Sequence, residues 1–127
     1  MSQFIAVGVG GFIGACARFG ITKLMSRHLT LLPFGTLLSN VIAGFFIGLI
    51  IGIERQTTTL PEHLKLFLMV GILGGLSTFS TFSMETVAYI ENAQYLKATA
   101  NTILNIALCF LFVFVGLLIA KYIKRFV

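Results

Sequence analysis

The sequence contains no tryptophan, two prolines, two cysteines and two histidines among its 127 residues. Charge is scarce as well: 10% of residues are Asp, Glu, Lys or Arg, against about a quarter in an average soluble domain. Apolar residues fill the space, at 57% of the chain with a mean hydropathy of +1.01. Those figures exclude a water-soluble globular domain, a disordered chain and a coiled coil. Cys16 and Cys109 both lie inside apolar runs, so they read as buried free thiols rather than a disulfide or a metal pair. His28 and His63 sit near loops and read as interfacial. No cluster of His, Cys and carboxylates suggests catalysis, and no phosphate-binding loop is present. The run Gly8–Gly14 superficially resembles a dinucleotide loop, but it lacks the third glycine at the required offset and no strand precedes it.

Nine Lys/Arg against four Asp/Glu leave a net charge of +5. The basic residues stand singly at the ends of apolar runs, which fits anchoring at a membrane edge and not nucleic-acid binding. The charges also mark out the segments. Residues 1–17, 28–53, 66–84 and 98–120 contain none of the four charged types apart from the brief interruption by Arg18 and Lys23 after the first. Trimmed of interfacial residues, this predicts four spans at about 3–22, 34–53, 65–90 and 98–121 in a single all-α membrane domain, each close to the ~20 residues a helix needs to cross a bilayer. Pro33 and Gly35 mark the entry to the second span, and Thr57–Thr59 with Pro61 mark a loop. Ala15-Cys16-Ala17 resembles a signal-peptidase site, yet no Lys or Arg precedes the first apolar run, so that run is expected to remain as a helix.

With four spans, both termini share one face. That face carries Arg55, Lys65, Lys121, Lys124 and Arg125, and the other carries Arg18, Lys23, Arg27 and Lys97. Five against four is almost no positive-inside bias. It is compatible with a weakly biased single orientation and equally with insertion both ways and pairing with an inverted copy.

Small residues recur at helical spacing: Ala6, Gly10, Gly14 and Ala17 in the first span, Gly44, Gly48 and Gly52 in the second. Such rows let helix backbones approach where lipid offers no hydrophobic drive for association. Polar residues inside spans need a partner or a wet cavity. Thr36 lies one turn before Asn40, whose amide can either bond a neighbouring helix or present donors to an anion. Asn101, Asn105 and Cys109 form a stripe at i, i+4, i+8 on the fourth span.

The third span holds the most informative segment, Gly74-Gly75-Leu76-Ser77-Thr78-Phe79-Ser80-Thr81-Phe82-Ser83. Adjacent glycines weaken a helix, and seven consecutive Ser, Thr or Phe residues follow. The composition suits a mid-membrane break whose freed carbonyls coordinate a cation, and it suits equally a Ser/Thr-rich helix crossing with aromatic packing.

This segment, followed by Met84-Glu85, resembles the signature of the Fluc/CrcB family of fluoride channels. Gly35-Thr36-Leu37-Leu38-Ser39-Asn40 and the Gly14…Arg18 element resemble further family elements in the same order. The resemblance implies an antiparallel, dual-topology homodimer of four-span protomers in the bacterial inner membrane. It implies two pores lined by both chains and a third helix broken mid-membrane. It implies a structural Na⁺ on the two-fold axis, held by backbone carbonyls that fall here on Gly74 and Ser77. The pore phenylalanines would be Phe79 and Phe82 and the pore amide Asn40, beside hydroxyls of Ser80, Thr81 and Thr36. Asn105, with Asn101 and Cys109, would form the fourth-span polar track. Arg18 and Glu85 would stand at the vestibule. The implied activity is passive, non-enzymatic export of fluoride that has entered the cell as HF, which protects against fluoride toxicity.

Two other classes compete. A proton-coupled small multidrug exporter needs a carboxylate deep in the membrane, and Glu85 is the sole span candidate; the absence of Trp also leaves few rings for cation capture. A non-transporting membrane scaffold accounts for the glycine rows but not for the Ser/Thr/Phe segment.

The near-even Lys/Arg count generates a topological prediction. Labelling of a cysteine in a C-terminal tag from each side of the membrane is expected to find both orientations in comparable amounts. A single orientation above roughly nine-tenths overturns mixed insertion.

Overall fold

A computed structural model describes residues 2–26, 32–56 and 60–123. Among these residues all regular structure is helical: α1 (Ser2–Ser26), α2 (Phe34–Glu54), α3 (Glu62–Lys65), a π-helical stretch Leu66–Leu73, α4 (Gly74–Leu76), α5 (Phe79–Glu91) and α6 (Tyr95–Ile123). Four helical segments are long and apolar enough to cross a membrane: Ser2–Ser26, Phe34–Glu54, Glu62–Glu91 and Tyr95–Ile123. Helices satisfy every backbone group internally, which hydrocarbon demands. The chain is a multi-pass membrane protein. Arg27, His28, Thr57–Thr59, Lys124 and Arg125 lie outside the described residues.

Pro33 and Pro61 immediately precede α2 and α3, where a missing N–H costs nothing because the first-turn donors lack intrahelical partners anyway. Ala93 ends α5 in the left-handed region, with φ 55°. The Ala93 N–H bonds to Ile90 O at 2.9 Å and the Gln94 N–H to Tyr89 O at 2.8 Å, a Schellman closure that reverses the chain within a few residues. This tight return sets α6 alongside α5 and so fixes which residues of the two face one another.

Glycine rows pack two helix pairs backbone to backbone, and Gly35 of α2 lies singly against Thr22 of α1. Gly44, Gly48 and Gly52 of α2 lie against Cys109, Val113 and the Leu117–Ala120 turn of α6 in turn, so those helices run parallel. Gly116 of α6 answers them, against Phe45 and Leu49 of α2. Gly10 and Gly14 of α1 lie likewise against Gly71 and the Ile72–Leu76 segment. Of the first-span row, Gly10 and Gly14 are buried, but Ala17 is exposed. Both cysteines are free, as expected, but Cys16 is exposed on the outer face of α1 and Cys109 is half-buried, so the expected burial fails. The reason is that α1 buries only the narrow glycine stripe and leaves its other faces outward. His63 is exposed.

The close approach makes a stability prediction. A Cβ on Gly48 would collide with the Val113 carbonyl, whereas one on Gly8 meets nothing within 4 Å. Gly48→Ala is expected to destabilise by about 1–3 kcal/mol through overpacking, and Gly8→Ala to cost nothing. Unfolding in detergent micelles reads both, and equal stability of the two variants refutes the α2–α6 contact.

Candidate functional site

The third span loses helical geometry at Ser77 (φ −77°, ψ 153°) and Thr78 (φ −154°, ψ 115°), between α4 and α5. Two extended residues leave carbonyls on one side and N–H groups on the other without i→i−4 partners. Ser77 N still reaches Leu73 O at 3.0 Å. Thr78 N, which would close on Gly74 O in a continuous helix, donates to Asn40 Oδ1 at 2.7 Å instead. The Gly75 carbonyl accepts from Arg18 Nε of α1 at 3.1 Å. On the α5 side, Thr78 acts as N-cap: its hydroxyl accepts from Thr81 N at 3.2 Å, lies 3.2 Å from Ser80 Oγ and donates to Thr81 Oγ1 at 3.0 Å. Ser80, exposed, and Thr81, half-buried, therefore belong to one hydroxyl cluster around Thr78.

Asn40 clasps the extended residue from both sides. Besides accepting from Thr78 N, its Nδ2 donates to Thr78 O at 3.3 Å and to Asn105 Oδ1 at 3.1 Å. Asn40 lies on α2 and Asn105 on α6, so the amide joins three helical segments. Asn105 Nδ2 donates in turn to Asn101 O at 3.1 Å and Asn101 Oδ1 at 3.0 Å. Asn105 is buried.

Phe79 and Phe82 have ring centroids 5.5 Å apart with planes tilted by 57°. Their surroundings differ sharply: Phe82 is 8% exposed and Phe79 is 78% exposed. Together with Asn40, Asn105, Cys109 and Phe110 they line a groove of about 160 Å³. Thr36 and Glu85 meet elsewhere, Thr36 Oγ1 donating to Glu85 Oε1 at 2.6 Å. This pair borders a separate cavity of about 210 Å³ between the ends of α1 and α2, and Glu85 Oε2 is buried without a hydrogen-bond partner.

The structure thus gathers Asn40, Asn105, Phe79 and Phe82 at one groove, with Ser80 and Thr81 tied to it through Thr78. Thr36 and Glu85 form a second locus. Arg18, Gly74 and Ser77 sit at the α4 end of the extended pair, with Arg18 committed to a carbonyl. Thr78, Thr86 and Phe110 were not singled out in the sequence. The spacing of Thr86, one turn after Phe82 on the same helical face, was the available signal.

The clasp carries a testable energy. Asn40→Leu removes the acceptor for Thr78 N and the donor to Asn105, leaving both without a partner. Each such group costs about 1–3 kcal/mol, so a loss of about 2–5 kcal/mol is expected in micelle unfolding. Asn40→Asp keeps the acceptor but turns a carboxylate oxygen toward Asn105 Oδ1 and Thr78 O, and is expected to lose at least as much. A loss below about 1 kcal/mol for Asn40→Leu means the clasp contributes nothing.

Residues 5–117 match the family described as "CrcB-like protein, Camphor Resistance (CrcB)". A curated relative from Aeromonas salmonicida (strain A449), named fluoride-specific ion channel FluC, is 41% identical over 121 residues, covering 92% of this chain and 94% of its own. Relatives of the same name from Shewanella sp. (strain W3-18-1), at 42% over 117 residues, and Clostridium novyi (strain NT), at 40% over 120 residues, cover 91% and 94% of this chain and 94% of their own lengths. With the family match and the identity both running through all four helical spans, the chain belongs to the CrcB family.

Proposed function

We propose that this protein is a passive fluoride-specific ion channel, a non-enzymatic transporter. The observation that carries the reading is 41% identity to a protein named fluoride-specific ion channel, over 92% of this chain and 94% of the relative. The gathered donors give it a mechanism. Fluoride is small and tightly hydrated, so its water has to be replaced by dense, positioned donors. At the groove, the longest bond of the Asn40 clasp is the 3.3 Å contact from Nδ2 to Thr78 O. That hydrogen is the one an anion takes over most cheaply, since the short bond from Thr78 N keeps the amide in place. The hydroxyls of Thr78, Ser80 and Thr81 bond chiefly to one another and can rotate to donate in sequence. The positive edges of Phe79 and Phe82 offer a weakly polar lining that does not trap the ion.

The exporter alternative is not favoured. Its carboxylate would have to be Glu85, which accepts from Thr36 apart from the Asn40 groove.

The finer architecture belongs to the same proposal. Extended backbone at Ser77 and Thr78 in an otherwise apolar span supports a third helix broken at membrane depth, tolerable there because protein groups satisfy it. A phenylalanine 78% exposed at the groove supports a second copy covering it. The five-to-four Lys/Arg balance supports that copy being inverted, as an antiparallel dual-topology homodimer. The residues also fit a Na⁺ shared between copies. Gly74 is exposed, a Cβ there would meet only Met69 O, at 3.5 Å, and its carbonyl has lost the Thr78 N–H. Helix-terminal carbonyls of Gly74 and Ser77 are hard oxygen donors of the type a Na⁺ takes, and the cation would supply charge that holds the two breaks together. The bacterial inner membrane, with fluoride leaving the cytoplasm, completes the reading.

Purified protein in liposomes is expected to pass fluoride and to exclude chloride and cationic drugs; absence of fluoride flux overturns the reading. Phe79→Leu and Phe82→Leu conserve volume closely enough that folding survives, at under about 1.5 kcal/mol. If the ring edges meet the anion, flux falls about tenfold for each 1.4 kcal/mol lost at the limiting barrier. Phe45→Leu and Phe112→Leu are expected to conduct normally. Equal small effects at all four positions mean that the rings only pack.

A further inference from the structure

We infer that Asn101 is a positioning residue of the conducting groove: it meets no ion, but through Thr86 it holds the turn that carries Phe82. The inference rests on the channel reading above and extends it to residues outside the groove.

Asn101 is 2% exposed and does not line the groove. Its Oδ1 accepts from Asn105 Nδ2 at 3.0 Å, and its own Nδ2 donates to Thr86 Oγ1 at 2.9 Å. Thr86 Oγ1 donates to the Phe82 carbonyl at 2.9 Å. The sequence of bonds is therefore continuous from the extended residue to the carbonyl of the groove phenylalanine: Thr78, Asn40, Asn105, Asn101, Thr86, Phe82.

Its direction is not arbitrary. The oxygen and nitrogen of an Asn amide have nearly the same shape, and either can face a given neighbour until something fixes the choice. Here one backbone group fixes it. Thr78 N–H can only donate, so the Asn40 atom facing it is Oδ1 and its Nδ2 faces Asn105. Asn105 must then present Oδ1 to Asn40 and turn Nδ2 toward Asn101. The Asn101 backbone carbonyl, a pure acceptor, is waiting there at 3.1 Å. Asn101 accepts from the same nitrogen, so its own Nδ2 points at Thr86, whose hydroxyl is left to donate onward to Phe82 O. Every link donates in the same sense, an arrangement in which each bond polarises the next.

The consequence is a division of labour on α6. Asn105 faces the groove and touches Asn40. Asn101, one turn away, spends its side chain on the Thr86 hydroxyl of α5, which in turn bonds the Phe82 carbonyl. Apolar contact between helices has no direction, so it fixes separation but not axial position. The directed bond from Asn101 Nδ2 to the Thr86 hydroxyl fixes both.

The test uses the full-length protein in liposomes, with parent fluoride flux as the reference. Thr86→Val keeps the shape and removes the hydroxyl, and Thr86→Ser keeps the hydroxyl and removes a methyl. A packing role makes Val the better tolerated; the positioning role makes Ser the better tolerated. Thr86→Val is expected to lower fluoride flux about tenfold and Thr86→Ser to stay close to the parent. Thr86→Ala against Thr86→Ser, which differ by the hydroxyl alone, reads the same contrast should the Val variant fail to assemble. Asn101→Leu is expected to match Thr86→Val, and the double variant to be no slower than either single, because both cut one chain of bonds. Thr102→Val removes a similar threonine-to-carbonyl bond on α6, from Thr102 Oγ1 to Ala98 O, outside the chain of bonds, and is expected to conduct normally. Equal flux in the Val and Ser variants, or losses that multiply in the double variant, overturn the inference while leaving the channel reading intact. A parent protein without fluoride flux overturns the channel reading instead.

Discussion

In hydrocarbon no water is available to a backbone N–H or C=O, so each such group needs a partner within the protein. Three of the four membrane-length segments meet that demand by being continuous helices. The third departs from it at Ser77 and Thr78, and much of the surrounding structure answers that departure. Asn40 receives the Thr78 N–H, Arg18 reaches the Gly75 carbonyl, and the Thr78 hydroxyl caps the helix that follows. The residues that satisfy the interruption come from α1, α2 and the segment itself, and Asn105 of α6 holds the most important of them in place.

Those partners can reach because the helices carrying them are unusually close. Glycine on both sides of the α2–α6 contact removes the side chains that would hold the axes apart, and glycine on α1 does the same against Gly71 and Gly75. The approach is geometric before it is energetic: an Asn side chain spans only a short distance, and a wider pair of helices would leave Asn40 and Asn105 unable to meet. The small-residue rows and the polar site are thus two parts of one arrangement. Gly75 illustrates this, since a Cβ there would strike the Gly11 carbonyl at 2.7 Å. Its value lies in helix contact as much as in backbone freedom, whereas Gly74, where a Cβ would meet only Met69 O at an ordinary 3.5 Å, has no such packing role.

Much of the fold was legible because membrane helices obey few rules. Length, the spacing of charges and the position of Pro33 were sufficient to delimit four apolar segments. Pieces of the site were legible as well, because an Asn in an apolar run has to be bonded. Other features were not. Cys16 and Ala17 read as buried because they share an apolar run with Gly10 and Gly14, yet burial depends on which face meets a neighbour, and only the glycine stripe does. The family resemblance gives Phe79 and Phe82 the same role, but one is buried and the other exposed. The left-handed Ala93 carried no glycine to announce it.

Sequence by itself determined that this chain lives in lipid, that its spans are built from helices, and which residue types would be costly there unless partnered. These follow from composition and periodicity, which are local properties. Tertiary structure decided who the partners are. That Asn40 would bond the backbone of Thr78, that Thr36 would pair with Glu85, and that Asn101 would face Thr86 while Asn105 faces Asn40 depends on helix register across contacts far apart in the chain. Register is set by the Schellman turn at Ala93, which no glycine announces, and by interlocking glycines on separate helices, whose two sides no single stretch of sequence contains.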